Sequence, residues 1–430
     1  MGRLLKHPKL IFILLFFLIF NYGKSQTIKD SVSIEIDFSK KKRNVKSMSG
    51  FLHYDDIKAL ENSIIALKPK YWRIGWSYKS PKDIEYLRSF GVVPILVISD
   101  MYGYPGKKNN KEWAHPLHTD RLKTVITAEY NKFKNTVIYD IWNEPFHQGG
   151  FGDFDKEEYY QIFKKAHDII RSLPGGKNAI ITGPSFDHYD EREMEDFLSF
   201  CSKNNIRIDI LCWHEWRDGI SEESFSKDVK KLRNVILPKY PNLGIKKIVL
   251  NEIINQYSQF SPSEVLQVFK MLENNNIDGA CKGCWGESDG VFNCNNTING
   301  LLDKNGKPRS IWWAYKVYSQ SINNRVVYSS NYSKISVFPS QDEKKQYIIL
   351  NNNSGNKIVN AKINLKNLFS FYKKEINANV DIYEIPDTQE MHLENLVFKN
   401  KQKISVRKKS SIITLEEMKP KTVYYLTISK

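Results

Sequence analysis

Cysteine is scarce: five residues in a chain of 430. That excludes a fold held together by a disulfide framework. Outside the extreme N-terminus there is no long apolar run, which excludes a polytopic membrane protein. No G-x-G-x-x-G follows a strand pattern, and G-x-x-x-x-G-K-[ST] does not occur. Nucleotide hydrolysis therefore has no motif to rest on. His214-Glu215 starts like a zinc signature, but position 218 is Asp. His115 and His118 have metal-like spacing but sit in a Pro-containing loop without a third partner. No metal or other cofactor is expected. Tryptophan is missing from the last quarter, since all nine lie between residues 72 and 313.

What is present bounds the class. Hydrophobic residues make up 41% and aromatics 13%, enough for a large core and against disorder. The length suggests two or three domains. The formal charge is +16; four of those charges lie in the first 25 residues, and residues 321–430 carry a net +8. A basic surface can attract nucleic acid, anionic lipid or acidic polysaccharide. Lys, Asn and Ile are abundant throughout, however, and the excess reads first as solubility and compositional bias.

Residues 1–9 carry Arg3, Lys6 and Lys9, Leu10–Phe20 is unbroken apolar, and small residues stand at Gly23 and Ser25. This is the three-part pattern of a secretory signal, with cleavage expected after Ser25. The apolar run is short for a membrane span. The expected location is secreted, periplasmic or cell-surface, with no membrane span after cleavage and no nucleic-acid partner.

Beyond the leader a strand–helix rhythm sets in. β-rich runs recur at Met48–Tyr54, Tyr71–Trp76, Val92–Ser99, Val137–Pro145, Ala179–Pro184, Ile208–Trp216, Lys247–Ile253 and Gly279–Glu287. Helical patterns alternate with them, and Ser310–Gln320 closes the series. That count predicts an α/β fold, a (β/α)8 TIM barrel over residues 45–320. Near-continuous apolar runs such as VVPILVIS fit strands buried on both faces of a parallel sheet. A doubly wound open sheet is the rival, without its glycine-rich first turn. After residue 321 short β-prone segments are separated by turns, which predicts an all-β sandwich over 321–430. Ser31–Phe38 alternates cleanly, and residues 26–44 are expected to join that sandwich.

Active sites in such barrels form where strands end. The fourth strand ends Ile141-Trp142-Asn143-Glu144-Pro145, and the seventh ends Val249-Leu250-Asn251-Glu252-Ile253. Two carboxylates on one rim are what glycoside hydrolysis needs, one as proton donor and one as nucleophile or base. Asn143 can bond a ligand hydroxyl beside the acid. The expected separation is the roughly 5–5.5 Å of retaining enzymes, with like charge raising the pKa of the acid.

The string Trp142-Asn143-Glu144-Pro145, with Glu252 ending a seventh strand, resembles the clan A retaining glycoside hydrolases. Asp196–Cys201 leading to Ile208-Asp209-Ile210 and His214, and Gly300–Pro308 followed by Trp313-Ala314-Tyr315, most resemble glycoside hydrolase family 39, which includes β-xylosidases and α-L-iduronidases. The resemblance covers about residues 45–320. It implies Glu144 as general acid/base and Glu252 as nucleophile, with Asn143 on the sugar 2-hydroxyl. It further implies that Arg73 orients the nucleophile, that His214 contacts sugar, and that Trp285 floors the −1 sugar with a cis peptide to Gly286; His53 and Trp216 are further candidate substrate-binding residues. The chain departs from the family pattern at Asn251-Glu252-Ile253 and at Glu215-Trp216, which leaves the sugar open.

Seven tryptophans (72, 76, 113, 142, 213, 216 and 285) fall at strand ends or adjacent loops, where at least two are expected to stack on sugar faces. Glu215 and Glu287 are further acids near the rim, open to a hydroxyl, Arg73 or Arg217. Cys294 can pair with Cys281 or Cys284, while Cys201 and Cys212 read as core. The whole reads as an exported retaining glycoside hydrolase acting on a carbohydrate substrate. Two alternatives stand beside it: a non-catalytic carbohydrate-binding protein on a barrel scaffold, and an endo-acting hydrolase of an acidic exopolysaccharide.

Overall fold

The computed structural model describes residues 30–42, 44–75, 78, 80–106, 112–147, 151–217, 221–369, 376–407 and 409–430. The leader with its expected cleavage point lies outside these residues, as does Trp76. Among the described residues no helix is long and apolar enough to cross a membrane.

Strand β1 (Asp30–Lys41) opens the described chain and belongs to the second half of the fold. The next eight strands are β2 (Gly50–Leu52), β3 (Tyr71–Ile74), β4 (Val93–Val97), β5 (Ile138–Asp140), β6 (Ile180–Phe186), β7 (Ile210–Glu215), β8 (Lys247–Ile253) and β9 (Gly279–Lys282). They are parallel and hydrogen-bonded in that order. Alternation sorts their side chains. Leu52, Tyr71, Ile95, Ile138, Ile210, Val249 and Cys281 form one cluster inside the barrel. Their neighbours Trp72, Leu96, Tyr139, Leu211, Leu250 and Ala280 belong to the larger core shared with the helices. The strands are thus apolar on both faces because both faces are covered. The first and last strands meet closely: a Cβ built on Gly50 would lie 2.2 Å from the Ala280 carbonyl oxygen, so only glycine fits that seam.

Helices follow the strands at Glu61–Leu67, Pro81–Ser89, Arg121–Phe133, Lys156–Ser172, Glu191–Lys203, Glu222–Lys231, Pro262–Asn274 and Ser310–Ser321, close to where the pattern placed them. Local chemistry starts several of them. The Asp155 side chain caps the Glu158 N–H, and Pro81 stands in the first turn behind Ser80. A short helix, Ile98–Tyr102, was not expected: it interrupts an apolar run directly after β4.

Strands β10 (Val326–Ser330), β11 (Val337–Gln341), β12 (Gln346–Asn351), β13 (Val359–Lys366), β14 (Ile376–Ile385), β15 (Val397–Val406), β16 (Ser410–Met418) and β17 (Val423–Ser429) make two sheets, β10-β1-β13-β16 and β11-β12-β17-β14-β15. β1 runs antiparallel to β10 and parallel to β13. Inward residues of both sheets, among them Val32, Ile34, Ile363, Ile348, Val380 and Leu426, share one core.

Candidate active site

Every barrel strand delivers something to the rim at its C-terminal end. Above the apolar interior lies a polar layer centred on Arg73 of β3, which is almost fully buried. Its Nε donates to Asp140 Oδ2 at 2.8 Å, Nη1 to Glu252 Oε1 at 2.9 Å and Nη2 to Asn143 Oδ1 at 2.8 Å. The planar guanidinium suits such a fork, since its donors leave in fixed directions. Asp140, fully buried at the end of β5, also accepts from Ser185 Oγ at 2.5 Å and Asn251 Nδ2 at 3.0 Å. Three donors thus meet the oxygens of this buried carboxylate, which offsets the cost of burying it.

Two irregularities in strand pairing make this layer possible. The β7–β8 register shifts between Trp213 and His214, so that Trp213 faces Leu250 while His214 faces Glu252. Asn251 is the extra residue. Strict alternation would send Asn251 and Glu252 to opposite faces; the bulge turns both toward Arg73 and Asp140. The β6–β7 pairing shifts likewise around Ser185, whose φ is +57°. Positive φ recurs along this rim at His53 (+43°), Glu144 (+44°) and Ile254 (+74°). For non-glycine residues this is costly backbone, and such strain gathers where function requires a set direction.

His214 joins the two glutamates. Its Nδ1 is 2.9 Å from Glu144 Oε1, and its Nε2, buried and without a hydrogen-bond partner among the described residues, is 3.9 Å from Glu252 Oε1. Burial pushes the Glu252 carboxyl above its ordinary value, while His214 and Arg73 pull it down and Glu144 pushes it up. The like charge of Glu144 thus acts on Glu252. The Arg73 guanidinium is held charged by Asp140 and Glu252 against the cost of burial.

A cavity of about 710 Å³ opens over this layer. The structure brings His53, Arg73, Asn143, Glu144, Trp216, Glu252 and Trp285 to its lining, with His214 just beneath. Trp216 and Trp285 stand 4.8 Å apart, and Trp285 Nε1 donates to the Ile254 carbonyl at 2.8 Å. The bond from Trp285 to Gly286 is trans, contrary to expectation; among the described residues only Gly183–Pro184 is cis. The indole reaches the cavity through its hydrogen bond and its contact with Trp216. A larger, more open groove of about 1250 Å³ between helix Glu222–Lys231 and β10 shares no residue with the rim.

Other expectations divide. Trp72, Trp142 and Trp213 are fully buried. Trp113 packs among Tyr102, Trp142 and Phe154. Of the six described tryptophans of that set, Trp216 and Trp285 line the cavity. Glu215 pairs with Arg217 at 2.7 Å and Glu287 with Arg309 at 3.0 Å, so neither meets Arg73. The His115 and His118 rings stack at 4.7 Å. Of the two open pairings, Cys294 bonds Cys284 on the rim loop; Cys281 points into the barrel. Sequence reasoning missed Asp140, Ser185, Asp100 and Tyr104. Asp140 had a signal, being an acid inside an apolar strand, which demands a buried partner.

The model of Glycosyl hydrolases family 39 matches residues 107–258. The chain resembles glycosyl hydrolases family 39. A beta-xylosidase of Caldicellulosiruptor saccharolyticus is 20% identical over 315 residues, 63% of this chain and 62% of that protein. The chain thus spans less than two-thirds of that relative's length. Among solved structures, N2152 from Neocallimastix frontalis superposes with a TM-score of 0.74 at 19% identity, covering 93% of this chain and all of that one. The GH39 enzyme from Xanthomonas axonopodis pv. citri gives 0.70 at 12% identity over 95% of this chain and 99% of its own. Both likenesses carry the fold, and the family 39-like barrel keeps Glu144 and Glu252 on one rim.

Proposed function

We propose that the chain is an exported, retaining glycoside hydrolase. The supporting observation is that Arg73 and His214 tie Glu144 and Glu252 to one cavity floored by two tryptophans. Glu252, in contact with Arg73, is the nucleophile on the anomeric carbon. Glu144 protonates the leaving oxygen and then takes a proton from the incoming water. The Asn143 amide donates to the 2-hydroxyl, its carbonyl oxygen being held by Arg73. Trp216 and Trp285 offer faces to the sugar. Export rests on the leader pattern.

The test is a panel of aryl glycosides headed by β-xylosides, with the first-formed anomer read by NMR. A 2-deoxy-2-fluoro glycoside should label the peptide carrying Glu252, and the product anomer should be retained. Glu144→Gln should lose about 10²–10⁴-fold on poor leaving groups, and Glu144→Ala should recover turnover with azide on a glycoside with an activated leaving group. Inversion of the anomer, or a label on another residue, would sink the mechanism. Intact oligosaccharide bound for hours without cleavage would favour a binding protein.

A further inference from the structure

One buried acid of the cavity has no place in the mechanism above. Asp100 lies in the short helix after β4, with its side chain 7% exposed. Tyr104 donates to its Oδ1 and is in turn 2.8 Å from Ser99 Oγ, so the carboxylate is held from behind. Its Oδ2 is 3.8 Å from His53 Nε2, beyond direct hydrogen-bond reach. Both groups line the cavity beside Arg73 and Glu252. The chain makes room for this acid: a Cβ on Gly75 would come within 1.9 Å of Asp100 Oδ2. Arg73, the nearby cation, directs hydrogen bonds to Asp140, Glu252 and Asn143 and reaches Asp100 through its charge. A buried carboxylate so placed carries a desolvation cost that a ligand donor would relieve.

Resting on the hydrolase reading, we infer that Asp100 is a specificity-determining residue: with His53 it clamps a hydroxyl of the sugar beside the two glutamates and excludes sugars that bring a carboxylate to that cavity. The hydroxyl donates to Asp100 Oδ2 and accepts from His53 Nε2–H. No proton leaves either group. A ligand carboxylate has no proton to give and meets Asp100 and Glu252 at close range, with Asp55 and Asp187 also on the wall. Repulsion against the wrong ligand separates substrates as strongly as attraction to the right one. Two electrostatic effects agree with this. Burial and the Arg73 charge keep His53 neutral, down to about 3, and burial pushes Asp100 only up to about 6, so it is ionised at neutral pH. The excess positive charge of the chain therefore does not extend to its cavity, and the substrate class is a neutral glycan rather than a uronate-bearing one.

The experiment compares aryl β-xyloside, β-glucoside and β-glucuronide on wild type, Asp100→Asn and Gly75→Ala, the last evicting Asp100 sterically. Wild type should prefer the better neutral glycoside over the glucuronide by about 10³-fold or more in kcat/KM. Asp100→Asn should lower the neutral substrate about 10–100-fold, the worth of a hydrogen bond to a charged group. It should shrink the preference at least about tenfold, and Gly75→Ala should act in the same direction. A wild type that accepts the glucuronide equally, or a preference unchanged in both variants, overturns the inference. If nothing is turned over, the hydrolase reading fails, and the clamp is read by calorimetry. A piperidine iminosugar bearing hydroxymethyl should bind wild type, its carboxylate counterpart should bind more weakly, and Asp100→Asn should narrow the gap. Equal binding, an unchanged gap or no binding of either overturns the clamp.

Discussion

At the scale of single residues, the barrel shows what burial does to an ionisable group. Lys282 at the end of β9 is fully buried, and its Nζ donates to the carbonyls of Asn299 at 2.7 Å and Gly283 at 3.2 Å. Burial, then the Arg309 charge, brings its pKa down from 10.5 to about 7. Between those values the unfolded chain keeps a proton that the folded one has given up. Stability from this group is therefore present at high pH and lost as pH falls toward 7. Lys282→Met removes the slope while leaving other titrations common to both proteins. In urea unfolding from pH 7.5 to 9.5, the free-energy difference between the two should move toward wild type by about 1 kcal/mol per pH unit. A constant difference would mean that Lys282 keeps its proton in the fold.

At the scale of elements, the strands were legible because burial on both faces writes apolar runs, and the sandwich because one-sided burial writes alternation. Glu144 and Glu252 stood out as acids closing such runs. The bulges at Ser185 and Asn251 were not legible: they are set by pairing with β7, which no local string encodes. Asp100 was hidden inside an apolar run that folds back as a helix. Trp72, Trp142 and Trp213 misled because a strand end places neighbours alternately on the cavity and the helical shell. Equally invisible was the contact between the rim loop and a distant turn of the sandwich. Cys284–Cys294 closes the loop that carries Trp285 and the exposed Phe292. Glu390, between β14 and β15, accepts from Ser288 N at 2.7 Å and Ser288 Oγ at 2.6 Å, while Arg309 Nε donates to the Glu390 carbonyl at 2.8 Å. Glu390→Ala should leave kcat on a simple aryl glycoside within about twofold and raise KM for longer oligosaccharides about 3–10-fold, the worth of one or two such bonds. The same KM for short and long substrates would show that the turn does not position the loop.

At the scale of the whole molecule, the barrel and the sandwich meet through a buried charge. Glu273, near the end of helix Pro262–Asn274, accepts from Tyr318 OH at 2.8 Å and pairs with Lys42 at 3.3 Å and Arg325 at 3.5 Å. Lys42 follows β1 and Arg325 precedes β10, so one carboxylate gathers both ends of the barrel and the two chain segments that enter the sandwich. Arg325 also lies over the Tyr318 and Phe338 rings at 5.0 and 4.5 Å. Phe338, Ile349, Ile385 and Val423 of the sandwich belong to the barrel's core, which makes the seam apolar around its ionic centre. An interface of that kind should make the two parts unfold together. Glu273→Gln keeps the shape and removes the charge that two cations share. Breaking a buried pair from one side costs about 3–5 kcal/mol, here lessened by the partial exposure of Lys42. Wild type should therefore show one urea transition by both tryptophan fluorescence, which reports only the barrel, and far-UV circular dichroism. The variant should unfold earlier, with the two probes separating as the sandwich outlasts the barrel or the reverse. Coincident transitions at an unchanged midpoint would show that the apolar seam alone holds the halves together.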